Sequence, residues 1–383
     1  MHTHNTTPFY QINFQKQFGG GEVYTQFLCQ ALDNVGINHT LFVHPNANFW
    51  HDMVFGNTRI QAITPDIQPI LDNMTANATV LTHGSIPKDW RMRITASGHR
   101  LVGIVHMPLY GRDQQAFDGY DCVIGVSQYV VDSLHDAGLK SVYPQPWYGV
   151  ANLHRMTDTS QTITHKSLYD WDLRKGRDRL LSWIEPLYTP FLPKTVWQKK
   201  SGLTLGIVSR ITPIKQFPLL FNTIAPTLHK IPNLNIEIFG SGGYASVRDL
   251  KQALLPIKNQ VRFWGHQNNV ASIYNKLDFL LTGLPEKEAL GLNVLEAQAC
   301  NLPVLAVDAL PFQETVLDGK TGYLFNDPRR DQGQHLHDIL NDIINGDKER
   351  LQPSTHQQHL QQFTLDAFTQ RIAEALPFLL GKM

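Results

Sequence analysis

Phe9-Tyr10-Gln11-Ile12-Asn13, then Gly19-Gly20-Gly21, then Val23, Phe27, Leu28 and Leu32, then Asn38-His39-Thr40-Leu41-Phe42-Val43 is the stretch that decides the fold. An apolar run of strand length, a glycine turn, apolar residues at helical spacing and a second apolar run form the repeating unit of a parallel sheet. The runs Thr79 to Leu81, Leu101 to Val105 and Cys122 to Val126 continue it. Short runs with many β-branched residues read as strands buried on both faces. The rhythm restarts at Leu203 to Ser209 and passes through Leu234 to Phe239, Val261 to Trp264, Phe279 to Leu281 and Val304 to Val307. The expected fold class is α/β, with two Rossmann-like, doubly wound halves. Their ligands bind beyond the carboxyl ends of the strands, and two such ends facing one another make a cleft.

The bulk numbers agree with two domains. The 383 residues exceed what one core usually supports, and 42% hydrophobic with 17% charged residues is ordinary globular composition. Lys plus Arg and Asp plus Glu balance at 33 each, which argues against nucleic acid as a partner. Cys29, Cys122 and Cys300 are far apart and lie in apolar runs, as buried thiols of a reducing, cytoplasmic compartment do. Met1 to Thr7 is polar, and no run approaches the length of a membrane span, so any membrane contact is expected to be peripheral, at the inner face. Histidine is abundant at 17, yet no paired Cys/His spacing appears, so no metal site is expected.

Between the halves, about Asn152 to Gly202, Tyr169, Trp171, Leu173, Leu180, Leu181, Trp183 and Ile184 alternate with Lys166, Arg174, Lys175, Arg177 and Arg179. This reads as a linker with a surface helix. The sharper alternative is a basic, aromatic helix that touches a membrane or a lipid-linked acceptor.

The chemistry concentrates in Glu288-Ala289-Leu290-Gly291-Leu292-Asn293-Val294-Leu295-Glu296-Ala297-Gln298-Ala299-Cys300, closed by Asn301-Leu302-Pro303. A helix starting near Gly291 aims free N–H groups at whatever occupies the strand's carboxyl end, which suits a phosphate. Glu288 and Glu296 would flank that anion as hydroxyl acceptors. Arg210 and Lys215, just after the strand ending at Ser209, match the charge of a diphosphate and would stabilise it as it leaves. Gly19, Gly20, Gly21 and Glu22 make an open strand-to-helix turn, and His106 follows the strand Leu101 to Val105. The backbone near Gly265 and His266 is the expected base-binding region.

Together with Phe239-Gly240-Ser241-Gly242, Val126-Ser127, Gly149-Val150 and Val316-Leu317-Asp318-Gly319, these residues resemble the retaining GT-B glycosyltransferases of the group 1, or family 4-like, type. The resemblance covers most of the chain outside Asn152 to Gly202. It implies an N-terminal acceptor domain over 1–200, a donor domain over 201–364, and a final helix within 365–383 that returns to the first domain. It implies that Glu288 contacts the donor sugar, Glu296 the ribose, and Arg210 with Lys215 the diphosphate, near the amides of Leu292 and Asn293. Gly19, Gly20 and Gly240 would line the donor site, and His106 would lie beside the anomeric centre. The implied reaction moves a hexose or hexosamine, with retention and without metal, from a nucleotide-diphosphate sugar, UDP by default, to a glycoconjugate such as lipopolysaccharide, capsule or glycolipid. There is no cofactor beyond that co-substrate. Two departures stand out. Asn301 replaces a common glycine, as a residue tolerant of left-handed backbone can. Ala309-Leu310-Pro311-Phe312 replaces a glycine pair.

Three rivals compete. Asp170-Trp171-Asp172 matches a metal-binding aspartate pair of another glycosyltransferase fold, but reads better as the start of a helix. Gly240 to Ala245 fits a loose dinucleotide fingerprint, without the acidic residue that should follow. A non-catalytic GT-B subunit would have lost Glu288, His106 or Lys215, whereas an epimerase or phosphorylase is the nearer alternative.

Overall fold

The computed structural model describes residues 7–150, 161–171, 175–188, 195–349 and 351–381. The chain divides into two compact units, Met1–Val150 with Gln361–Met383, and Ala151–Leu360. In the first, β1 (Phe9–Asn13), β2 (His39–Val43), β3 (Arg59–Ala62), β4 (Thr79–His83), β5 (Arg100–Val105) and β6 (Cys122–Gly125) form one parallel sheet in the order β3-β2-β1-β4-β5-β6. In the second, β7 (Leu203–Val208), β8 (Leu234–Phe239), β9 (Val261–Phe263), β10 (Phe279–Leu281), β11 (Val304–Val307) and β12 (Gly322–Phe325) run in the order β12-β11-β10-β7-β8-β9, again all parallel. Each sheet starts at its centre, winds outward one way, then returns to wind the other way. The order reverses between β1 and β4, and between β7 and β10, where doubly wound sheets bind ligands.

The strand pattern follows from burial on both faces. In the second unit, Leu205, Ile207, Ile236, Ile238, Phe279, Leu281, Leu305 and Val307 enter one apolar cluster, while Val208, Phe239, Leu280, Val304 and Ala306 enter another. Alternate residues thus serve opposite faces, and the polar alternation left in β8, Asn235 and Glu237, is also buried, Glu237 against Arg262 and Trp264. Two strands escaped the sequence reading, β3 and β12. Both are sheet edges, and the first reads Arg-Ile-Gln-Ala with no residue fully buried. The three cysteines are free, buried thiols.

The described residues from 161 to 200 group with the second unit. Thr164 bridges Val196, Tyr169 bridges Gly242, and Trp197 packs with Ile163 and Phe239 in the second unit's apolar cluster. The apolar residues of the expected linker thus tie it to the second sheet. Asp170 lies in extended backbone, its N–H donating to the Gly242 carbonyl, and the helix begins only at Gly176. Asp172 lies outside the described residues. The final helix, Leu365–Leu379, packs in the first unit: Phe368 meets Tyr24 and Trp147, and Arg100 donates to the Phe378 carbonyl.

Candidate functional site

In the second unit the loops after β7, β8 and β10 converge around the helix Leu292–Ala299. Gly240 and Gly242 follow β8 because a side chain there would strike the Ser209 carbonyl at 1.9 Å and the Ile211 carbonyl at 2.0 Å. These glycines serve the packing of one loop on the next, which accounts for the fingerprint-like spacing without a dinucleotide. The chain after β7 is thereby fixed, with Arg210 exposed and Lys215 partly covered. Lys215 pairs with Glu288, whose other oxygen accepts from the Ala289 amide at 3.3 Å.

Gly291 precedes the helix with φ 84°, a left-handed turn that an L side chain resists. Phe312 packs beneath it, within 3.4 Å of where a Cβ would stand. The loop that lost its glycine pair therefore supports the helix start from below. Asn293 donates its side-chain amide to the Val208 carbonyl at 3.2 Å, tying that helix start to the end of β7. The Val294 amide is taken by the Gly291 carbonyl, and the Leu292 and Asn293 amides precede any intrahelical acceptor. One turn on, Glu296 accepts from Tyr274 Oη at 3.4 Å, and burial pushes its carboxyl up to about 7. At the helix end Asn301 is left-handed, φ 58°, and accepts from the Ser354 amide at 3.0 Å.

Arg210, Lys215, Gly240, Glu288, Gly291, Leu292, Asn293 and Glu296 thus belong to one loop cluster at the switch point of the second sheet. His266 is exposed in the turn after β9, and Gly265 accepts from the Gly240 amide at 2.9 Å. Tyr274 was missed by sequence reading. Its Oη is the only described hydroxyl bonded to Glu296, but a tyrosine within a short apolar helix carries no separate signal.

Gly19, Gly20 and His106 belong to the first unit. Gly20 opens the helix Gly20–Asn34, and a Cβ at Gly20 or Gly21 would meet nothing within 4 Å. His106 follows β5 and stands edge to face with Tyr24, ring centroids 4.9 Å apart. Its Nε2 lies 3.3 Å from His83 Nδ1, and burial pushes it down to about 4. His83 ends β4 at the switch point. Among the described residues no group of three or more His, Cys, Asp or Glu side chains has the arrangement of a metal site. None of the described helices is long and apolar enough to cross a membrane.

Residues 193–358 match the family model described as "Glycosyl transferases group 1". That segment is therefore similar to the group 1 glycosyltransferases. It is 27% identical over 146 residues to the UDP-N-acetylglucosamine–peptide N-acetylglucosaminyltransferase GtfA subunit of Streptococcus agalactiae, across 38% of this chain and 28% of that protein. It is 28% identical over 170 residues to an uncharacterised glycosyltransferase of Haemophilus influenzae, across 44% and 47% of the two chains. The chain thus spans less than half the length of these relatives. The crystal structure of Anabaena HepE in complex with UDP and glucose superposes with a TM-score of 0.69 at 17% identity, covering 97% of this chain and 99% of that one. That likeness is one of fold alone, the GT-B type of fold with two α/β units.

Proposed function

We propose that this chain is a group 1-type, retaining, metal-independent glycosyltransferase that moves a hexose or hexosamine from a UDP-sugar to a glycoconjugate acceptor such as lipopolysaccharide, capsule or glycolipid. The observation that carries the reading is the Lys215–Glu288 pair beside exposed Arg210 and the free amides of the helix Leu292–Ala299. Without ligand, Glu288 neutralises Lys215. A diphosphate arriving at the helix N-terminus takes over Lys215 and Arg210, and Glu288 turns to the sugar hydroxyls, where a carboxylate is a strong acceptor. Glu296 takes the ribose hydroxyls. As the bond to the sugar breaks, charge grows on the diphosphate, and two fixed cations with aligned amides stabilise that charge more than the bound substrate. The acceptor attacks on the face the diphosphate leaves, and a phosphate oxygen takes its proton. The UDP and glucose held by HepE, and the UDP-sugar named for the streptococcal relative, support UDP as the nucleotide.

A thermal-shift panel of nucleotide sugars tests this. A ligand at 100 times its dissociation constant stabilises the fold by about 2.7 kcal/mol. A shift with UDP-sugars that Glu288→Ala reduces is expected, with turnover unchanged by chelators. No shift with any nucleotide would favour a non-catalytic subunit.

The helix Gly176–Tyr188 supports peripheral attachment of this cytoplasmic enzyme to an anionic membrane. Leu180, Trp183, Ile184 and Leu187 are 60%, 79%, 42% and 70% exposed along one stripe, beside exposed Arg179. The carboxylates of the same helix are otherwise engaged: Asp178 is buried against Arg177, and Glu185 accepts from Ser167 and Trp171. An outward face of apolar and cationic groups suits an anionic lipid surface. Flotation with vesicles containing phosphatidylglycerol should lose the protein on Trp183→Ser with Leu187→Ser, and equal recovery of the variant would remove the claim.

A further inference from the structure

We propose that residues 163–170 form a strap that locks the turn 264–267 after β9, so that the backbone of Gly265 and His266 meets the base of the nucleotide as a preformed edge. The strap is a positioning element, and its role rests on the reading that this turn receives the base.

The segment crosses the carboxyl end of the second sheet from one face to the other. Ile163 is buried in the apolar cluster that holds Phe239 and Trp264, and Leu168 in the opposite cluster, with Ile211 and Val247. With both ends anchored, the main chain between them is drawn across the loops that follow β8 and β9. On the β9 side the Lys166 N–H donates to the Trp264 carbonyl at 3.0 Å. On the β8 side the Gly242 N–H donates to the Leu168 carbonyl, and the Asp170 N–H to the Gly242 carbonyl, each at 2.9 Å. Gln267, itself buried, adds a side-chain bridge: its Nε2 lies 2.9 Å from both the Thr164 and the Trp264 carbonyls.

Gly265 shows how closely the strap approaches. Its φ is 71°, and a Cβ there would stand 2.4 Å from the Ser167 carbonyl oxygen and 2.5 Å from that of Lys166. Only glycine fits. From within the sheet, buried Glu237 accepts from Trp264 Nε1 at 2.6 Å, and the Gly240 N–H donates to the Gly265 carbonyl at 2.9 Å. The turn is thus pinned through two carbonyls and the side chains of Trp264 and Gln267. The N–H groups of Gly265 and His266 and the His266 carbonyl bond to no described residue, and these are the groups a base can meet. A turn that ordered itself only on binding would lose affinity to that ordering, which a strap anchored in the core removes in advance. Lys215, Glu288 and the helix Leu292–Ala299 lie on other loops, so a diphosphate can bind whether or not this turn is fixed.

Calorimetry of the full-length chain with UDP and with inorganic pyrophosphate tests the strap. Lys166→Pro removes the N–H given to Trp264, and Lys166→Ala, its reference, removes the same side chain but keeps that N–H. Lys166→Pro should bind UDP about tenfold more weakly than its reference, with pyrophosphate affinity within about twofold. Gln267→Met cuts the side-chain bridge without touching the backbone, and should show the same split against wild type should the proline variant not fold. UDP bound as tightly as by the reference would overturn the proposal, as would a loss shared equally by UDP and pyrophosphate. Wild-type protein that fails to bind pyrophosphate counts against the proposed function rather than the strap. The strap is then read by hydrogen exchange at the Gly240 amide, expected to be several-fold faster in either variant than in its reference, and equal rates would refute it.

Discussion

The two sheets share a strand order and differ in what they place at the point where that order reverses. In the first unit it holds Gln11, Thr25, His83 and His106, a buried network without a formal charge. In the second it holds Arg210, Lys215, Glu288 and Glu296 around a helix N-terminus. The fold supplies an identical location twice, and the residues grafted there give each one its chemistry. The first offers neutral donors and acceptors, and the second offers charges of a kind that suits an anion.

The largest effect should come from removing a cation from the second site. Lys215→Ala deletes a charge aimed at the leaving diphosphate and strands Glu288 beside it, which then repels the ligand. Transition-state charge stabilisation by a single group is commonly worth about 10²–10³ in rate, and turnover should fall by about 10³ while UDP affinity also drops. Steady-state kinetics and calorimetry of the same variant check both. Nearly wild-type turnover would mean that the second site does not carry the leaving group.

His106→Ala should separate the two units. Turnover should fall by about 10², within the range for a positioned polar group, with UDP affinity unchanged because no phosphate contact is touched. An equal loss of UDP affinity would show that the neutral network also serves the nucleotide, and the contrast between the sites would collapse.

How much of this was legible depends on whether a feature is local in the chain. Ten strands announce themselves because each is a contiguous apolar run. β3 does not, since Arg59-Ile60-Gln61-Ala62 at the sheet edge has no buried residue, whereas the edge strand β12, Gly322-Tyr323-Leu324-Phe325, is apolar and mostly buried and differs from the others only in being short and opening on a glycine. Arg210, Lys215, Glu288 and Glu296 stand close to glycine turns and strand ends, so their residue types could be read together, although the pairing of Lys215 with Glu288 needed the fold. Ile163, Leu168 and Trp197, within the stretch expected as a linker, look like scattered apolar residues until the second sheet is present to bury them. The histidine pair His83 and His106 had no signature at all. Gln11, His83 and His106 lie on two strands and a loop far apart in sequence, and only the winding of the sheet joins them.

The smallest expected effect is a difference in acid response, and it separates the units by sign. Burial acts on both sites and disfavours the charged form of each group. It pushes His106 down to about 4 and Glu296 up to about 7. For the histidine, the favoured neutral form contributes stability above the ordinary value of 6.5, lost as pH falls through about 4. For the glutamate, the favoured protonated form contributes stability below 4.5, lost as pH rises through about 7. Hydrogen exchange, corrected for intrinsic rates, should therefore show the first unit loosening toward acid and the second toward neutral pH, with His106→Gln and Glu296→Gln each flattening its own unit alone. Ligand binding reverses the second sense, because ribose hydroxyls donate to an ionised Glu296. UDP affinity should weaken as pH falls below about 7, by up to about tenfold per unit, and Glu296→Gln should remove that slope. A slope that survives Glu296→Gln and disappears with His106→Gln would assign the titrating group to the first unit.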